Sequence, residues 1–198
     1  MNRKLMLLAF ALSGMAALIY EVTWTRMLRL IFGSTVYAVS TILTTFFIGF
    51  ALGSYLFRNR ADNSKNPILL FSLLEFGIGL YGLMIIPVFG FLSTVYLLTS
   101  SSGYKLFQFI FSFIAIITPA ILIGATWPVV SKAYVRNVET LGNDSGMLYS
   151  MNSLGSFTGP ITAGFVLIPI LGITNTNLFA ACVNMFIAFL MFAKGRMR

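Results

Sequence analysis

From Ser145 to Ala193 the chain runs for 49 residues without one Asp, Glu, Lys or Arg. A water-exposed domain averages about 25% charged residues and cannot present such a stretch to solvent. A bilayer can accept it, since one helical crossing needs roughly 20 apolar residues. The stretch is too long for a single crossing. Pro169, Leu171 and Gly172, followed by Asn175, Thr176 and Asn177, mark a turn inside it. The rest of the chain divides in the same way. Leu5 to Tyr20 is uncharged, and its helical pattern continues past Glu21 to about Phe32. Gly33 to Phe57 is a second run, and Asn66 to Tyr104 holds one helix, a single charge at Glu75 and an outer loop around Thr99 to Gly103. Leu106 to Ser131 is the next. The expected fold is an all-α polytopic membrane protein of one domain, residues 1–198. Its six transmembrane helices are expected near 5–31, 34–57, 67–97, 105–131, 146–169 and 174–193.

Composition agrees with this and excludes the alternatives. With 58% apolar and 9% charged residues, mean hydropathy +0.91, no His and one Cys, the chain is neither a soluble enzyme, a disulfide scaffold nor a disordered tail. Lone Cys182 reads as a small core residue. Without histidine there is no His-based triad or histidine metal site. The carboxylates are scattered, so no catalytic residue, metal or cofactor is expected.

The net charge of +8 first suggests nucleic acid, but nucleic-acid binders gather Lys and Arg on a face or stripe. Here they fall in short clusters between apolar runs, which is a topological pattern. Six crossings put both termini on one side. That side gathers Arg3, Lys4, Arg58, Arg60, Lys65, Lys132, Arg136, Lys194, Arg196 and Arg198, leaving Arg26, Arg29 and Lys105 opposite. The positive-inside rule makes the richer face, and both termini, cytoplasmic. The start of the chain imitates a secretory signal, with Asn2-Arg3-Lys4 before an apolar run and Ala16-Ala17. Cleavage is not expected, because it would leave an odd helix count and a poorer charge asymmetry. Asn143-Asp144-Ser145 is a glycosylation sequon on the cytoplasmic side. Gly77-Ile78-Gly79-Leu80-Tyr81-Gly82 spells the dinucleotide fingerprint but lies mid-helix, without the strand that fingerprint needs.

Two carboxylates fall inside membrane runs, where a charge is costly and needs a reason. At about 1.5 Å per residue, Glu21 lies roughly 24 Å along a first helix entered at Leu5, in the outer half. Glu75 lies about 12 Å into a third helix entered at Pro67, in the inner half. The two therefore do not share a site. Glu21 is read either as a partner of Arg26 or Thr25 or as a cation or proton site. Glu75 has no basic neighbour in its helix and favours the second role.

Gly49/Gly53 and Gly155/Gly159 form GxxxG pairs on the second and fifth helices, a packing signal. Tyr149, Asn152, Ser153 and Ser156 follow steps of three and four, giving the fifth helix a polar face before a kink at Pro160. That face suits a cavity lining or interhelical hydrogen bonds. Trp24, Arg26, Arg29, Gly33 and Tyr37 are echoed by Trp127, Lys132, Arg136, Gly142 and Tyr149, as a three-plus-three inverted repeat would produce.

A resemblance joins these features. The chain resembles the membrane region of the fused spermidine-synthase family, which looks like half of a major-facilitator transporter. The residues that carry it run from Ser13-Gly14 through Tyr20-Glu21, Trp24 and Arg26, then Ala51 to Ser54, Leu74 to Leu80, Gly124 to Pro128, Leu148 to Gly155, and Gly164 to Gly172. The family usually continues into a soluble aminopropyltransferase-like domain, whereas this chain stops at Arg198, so aminopropyl transfer is not expected. The loop after the second helix resembles the facilitator gating loop, with Gly53 and Asp62 in place and Arg58-Asn59-Arg60 where a glycine-containing turn is usual.

The resemblance implies a six-helix half-transporter in a prokaryotic cytoplasmic membrane. A half needs a partner, and a second copy about a two-fold axis is the simplest, with the GxxxG helices at or near the seam. The leading expectation is therefore a homodimeric secondary transporter for a small polar or cationic solute. Glu21 and Glu75 would supply charge or proton coupling, Tyr149 and Asn152 orientation, Arg26 a pairing switch, and Trp24 a further binding contact. The alternative is a non-transporting membrane module that anchors or supplies a separate soluble spermidine-synthase-like enzyme through Arg58 to Lys65 and Lys132 to Asn143.

Overall fold

In hydrocarbon no water can satisfy a backbone N–H or C=O, so the chain must satisfy them within each segment. The computed structural model describes residues 3–98, 105–135 and 137–196, and no strand occurs among them. The expected outer loop at Thr99 to Gly103, and Arg136 and Arg198 of the basic face, lie outside the described residues. The elements are α1 (Arg3–Phe32), α2 (Thr35–Asp62), α3 (Pro67–Leu98), α4 (Lys105–Tyr134), a 3-10 turn (Val138–Thr140), α5 (Leu141–Thr162), a π segment (Ala163–Leu167) and α6 (Ile168–Arg196). Among the described residues five helices are long and apolar enough to cross a membrane, the last being the 59-residue run Val138–Arg196.

That last run does not stay straight. Gly172 takes φ 78° and ψ 171°, a conformation open to glycine and closed to side chains with a Cβ. Beside this break the Leu171 carbonyl accepts from Asn175 Nδ2 at 3.0 Å. Contacts on either side show the chain doubling back. Asp144 lies beside Arg3, whereas Gly195 accepts from Asn66 Nδ2 at 2.9 Å, and both pairs sit at the end of the bundle where α1 and α3 begin. The turn thus falls within the stretch marked by Pro169, Leu171 and Gly172, whereas Asn175, Thr176 and Asn177, expected as turn residues, are helical, the last two fully buried. Pro160 lies inside continuous α5, and the helix widens into its π segment just beyond it.

Several helix ends differ from the expected bounds, and two of the differences bear on the candidate residues. α2 continues beyond Phe57 to Asp62, because Arg58-Asn59-Arg60 contains no breaker. The guanidiniums of Arg58 and Arg60 also lie over the Tyr55 and Phe57 rings at 4.0 and 5.0 Å. Asp62 is therefore the exposed last residue of a helix, not part of a loop. α5 begins at Leu141, ahead of the expected 146, and places Asp144 in its first turn, where a carboxylate favours the helix dipole. Asp144 is buried, pairs with Arg3 and accepts from Thr140 Oγ1 at 3.1 Å. Arg3 in turn lies 4.4 Å from the Tyr134 ring centroid, so one cluster ties the start of α1 to the α4–α5 connection.

Helix association gains little from burial when the alternative surroundings are lipid tails, so close backbone packing must supply the attraction. Two parallel pairs show it. A methyl group at Gly155 or Gly159 of α5 would overlap the Ala11 or Met15 carbonyl of α1, and one at Gly49 or Gly53 of α2 would overlap Ala120 or Ile121 of α4. α6 lies antiparallel along α3, with Ser72 Oγ donating to the Ala188 carbonyl at 2.7 Å. Outward-facing residues are apolar, including Phe165 at 82% and Phe189 at 74% exposure, the reverse of a water-soluble surface.

Gly155→Val is expected to abolish the folded, monodisperse particle in mild detergent. Gly146→Ala, at a position where a Cβ meets nothing within 4 Å, should leave its melting temperature unchanged or raise it, since alanine is the better helix former by about 1 kcal/mol. Size-exclusion chromatography and thermal unfolding would check both.

Candidate functional site

Close packing of α5 on α1 fixes which polar residues meet. Gly14 of α1 faces Asn152 and Ser156 of α5, and beside this contact α1, α2, α4 and α5 leave a cleft of about 250 Å³. Its polar lining is Ser13, Ser54, Thr126, Asn152 and Ser156; Phe10, Phe50 and Trp127 form aromatic walls. Most of the hydroxyls are already engaged. Ser54 Oγ donates to the Gly124 carbonyl at 3.0 Å, Thr126 Oγ1 to Ile123 at 2.6 Å, and Ser156 Oγ to Asn152 Oδ1 at 3.4 Å. Among the described residues nothing accepts from the Asn152 amide nitrogen, which leaves a donor for a bound molecule. Trp127 packs against Phe10, with ring centroids 5.7 Å apart, and meets Tyr149 edge-on at 6.3 Å.

Glu75 lies behind this cleft, in the interior between α1, α3 and α6, with no exposed surface. Ser13 Oγ donates to its Oε1 at 2.6 Å and Asn184 Nδ2 to its Oε2 at 2.7 Å. Ser13 therefore belongs to both environments, lining the cleft and holding the buried carboxylate. Glu21 stands eight residues further along α1, about 12 Å away along the axis. It is half-buried in a separate groove with Val22, Thr25, Arg26, Val39 and Leu43. Among the described residues it forms no ion pair with Arg26, and the Thr25 hydroxyl donates to the Glu21 main-chain carbonyl at 2.6 Å, not to its carboxylate.

The other residues singled out in the sequence are dispersed. Trp24 is fully buried and does not line the cleft. Its Nε1 donates to Asn177 Oδ1 at 2.8 Å, and Asn177 Nδ2 to the Gly82 carbonyl at 2.7 Å, a strut joining α1, α6 and α3. Tyr149 is exposed and reaches the site only through its edge on Trp127. Gly49, Gly53, Gly155 and Gly159 pack helices within the chain. Gly79 and Gly82 of the fingerprint-like sequence admit Asn184 and the Tyr20 ring. Sequence reasoning missed Ser13, Ser54, Thr126, Asn177 and Asn184. The available signal was the heptad step Asn177–Asn184, which puts two amides on one face of an apolar helix.

No family model, curated protein or solved structure matches this chain. The functional reading therefore rests on the geometry.

Three variants test that geometry. In a Cys182→Ser background, Asn152→Cys should react readily with a small, membrane-impermeant thiol reagent. Ser72→Cys, buried between α3 and α6, should stay unreactive until the protein is denatured. Asn177→Leu leaves the buried Trp24 N–H without an acceptor and should cost about 1–3 kcal/mol of stability, read from thermal unfolding of the purified protein.

Proposed function

We propose that this chain is a half-size, major-facilitator-like secondary transporter that works as a homodimer on a small polar or cationic solute. The observation that carries the reading is the cleft. Four helices contribute polar groups to one side of the bundle while α3 and α6 stand behind, so an uncharged polar lining lies within otherwise apolar surroundings. A ligand site of this kind is mostly apolar, with a few placed polar groups. Here Asn152 offers a free donor, and Trp127 and Phe10 offer ring faces that attract an ammonium group.

The packing pattern supports the half-transporter architecture. Exchanging α1–α3 for α4–α6 turns the α5-on-α1 pair into the α2-on-α4 pair. Both pairs are parallel and both are closed by a GxxxG sequence on the exchanged helix. That is the correspondence expected of an inverted repeat. In this reading the turn at Gly172 separates a fifth from a sixth span, and both termini face the cytoplasm with the basic clusters. Two copies then meet cleft to cleft. Because the GxxxG glycines are used within each copy, the seam is built from the neighbouring exposed faces of α2 and α5. The glycine-closed pairs move as rigid units, and alternating access comes from rocking one copy against the other.

Two measurements test this. In the Cys182→Ser background, Ser153→Cys on α5 should crosslink between copies, while Phe189→Cys on α6 should not; the reverse pattern would turn the cleft toward lipid and sink the reading. In proteoliposomes, uptake of radiolabelled diamines, amino acids and polyols should identify a solute. Asn152→Ala should then weaken its half-saturation about two- to twelvefold, the effect of one lost hydrogen bond of about 0.5–1.5 kcal/mol.

A further inference from the structure

We propose that Glu75 binds a proton in the interior of the bundle and exchanges it with the cleft through one hydroxyl group, that of Ser13. The inference deepens the carrier reading and rests on it for its use, since it names the coupling ion and its path.

Glu75 is wholly buried, and an ionised carboxylate in such a place needs a cation or a proton to offset its charge. The groups facing it are known from each side. α1 presents Ser13 and Tyr20, and α6 presents Asn184; Cys182 of α6 is exposed and not the core residue its surroundings suggested. On the far side of α3, α4 presents Leu122 to Gly77 and a main-chain carbonyl to Tyr81. Among the described residues neither lysine nor arginine approaches it. Both carboxylate oxygens already accept hydrogen bonds, from the Ser13 hydroxyl and the Asn184 amino group. A metal ion would have to displace these donors.

The connection itself selects the ion. What joins Glu75 to the cleft is a 2.6 Å hydrogen bond from a side chain that also lines the cleft. A hydroxyl passes a proton and nothing larger. A hydronium ion in the cleft gives its proton to Ser13 Oγ while the original Ser13 proton moves to Glu75 Oε1. One O–H bond of hydronium breaks and one forms at Oγ; the old Oγ–H bond breaks and an Oε1–H bond forms. Water and an unchanged serine remain, and the hydrogen bond has reversed, with Glu75 now donating to Oγ and the new serine proton facing the cleft. Asn184 keeps its bond to Oε2 throughout. Glu21, in its separate groove, takes no part.

The test uses the full chain in lipid nanodiscs. The infrared band of a protonated carboxyl should be present in the wild type, retained in Glu21→Gln and absent in Glu75→Gln. Ser13→Ala should keep the band but slow its hydrogen–deuterium exchange by on the order of a hundredfold, and Ser13→Thr, which keeps the hydroxyl, should restore the rate. Absence of a Glu75-dependent band in neutral and acidic buffer would overturn the proposal. So would sodium chloride raising the melting temperature of the wild type but not of Glu75→Gln, or Glu75→Gln retaining full proton-driven uptake. A Glu75 band in a protein that moves no solute would overturn the carrier reading and leave the proton site standing.

Discussion

The contact between the α5 glycines and the α1 backbone determines most of what matters in this molecule. Lipid offers apolar side chains much the same surroundings as the protein interior, so helices associate only where their backbones come close enough for many weak contacts to accumulate. Gly155 and Gly159 permit that approach over one turn of α5, and Gly49 and Gly53 do the same for α2 on α4. These pairs set the register as well as the distance. With Ala11 opposite Gly155, Gly14 comes to face Asn152 and Ser156, and Ser13 is turned between the cleft and Glu75. A shift of α5 by one turn would move its polar residues about 5.4 Å along the axis and take them away from Ser13.

Depth in the bundle follows from the same register. Trp24, Asn177 and Gly82 form one level, and Ser13, Glu75 and Asn184 another. Each level takes a side chain from α1, α3 or α6 and pairs it with a polar group of another of these helices, as the low dielectric demands. The two levels do different things. At the upper one an indole, an amide and a carbonyl satisfy one another without a charge, which makes a strut. At the lower one a carboxylate meets two neutral donors, which leaves a charge to be balanced.

What the sequence made legible was whatever depends on one helix at a time. Uncharged runs gave the long helices, and Gly172 with its neighbours gave the place where the last run turns. Of the polar face read at Tyr149, Asn152, Ser153 and Ser156, the cleft takes Asn152 and Ser156, while Tyr149 and Ser153 are exposed. What depends on two helices was hidden. Ser13 is an ordinary small residue until α5 on one side and α3 on the other give it neighbours. Trp24 lies four residues from Tyr20 and stacks on it at 5.0 Å, and nothing local announces that Asn177, far along the chain, takes its N–H. Asp144 carried the signature of a loop residue, yet Arg3 and Thr140 bury it in the first turn of α5.

The difference between the two membrane carboxylates shows why partners and not position decide their roles. Both sit in apolar helices, and by composition alone Glu21 has the better claim to a neutralising partner, with Arg26 five residues on. An α-helix turns about 100° per residue, so a spacing of five aligns two side chains less well than three or four; Glu21 and Arg26 border one groove, yet among the described residues they form no ion pair. Glu21 is instead left half-buried in its groove, with part of its side chain at the surface. Glu75 has no exposed surface and, among the described residues, no lysine or arginine beside it; a serine and an asparagine hold its two oxygens. A charge that solvent can screen needs no mechanism to remove it. One that solvent cannot reach must be neutralised through the groups that touch it, and of the two that touch Glu75, only the Ser13 hydroxyl also lines the cleft.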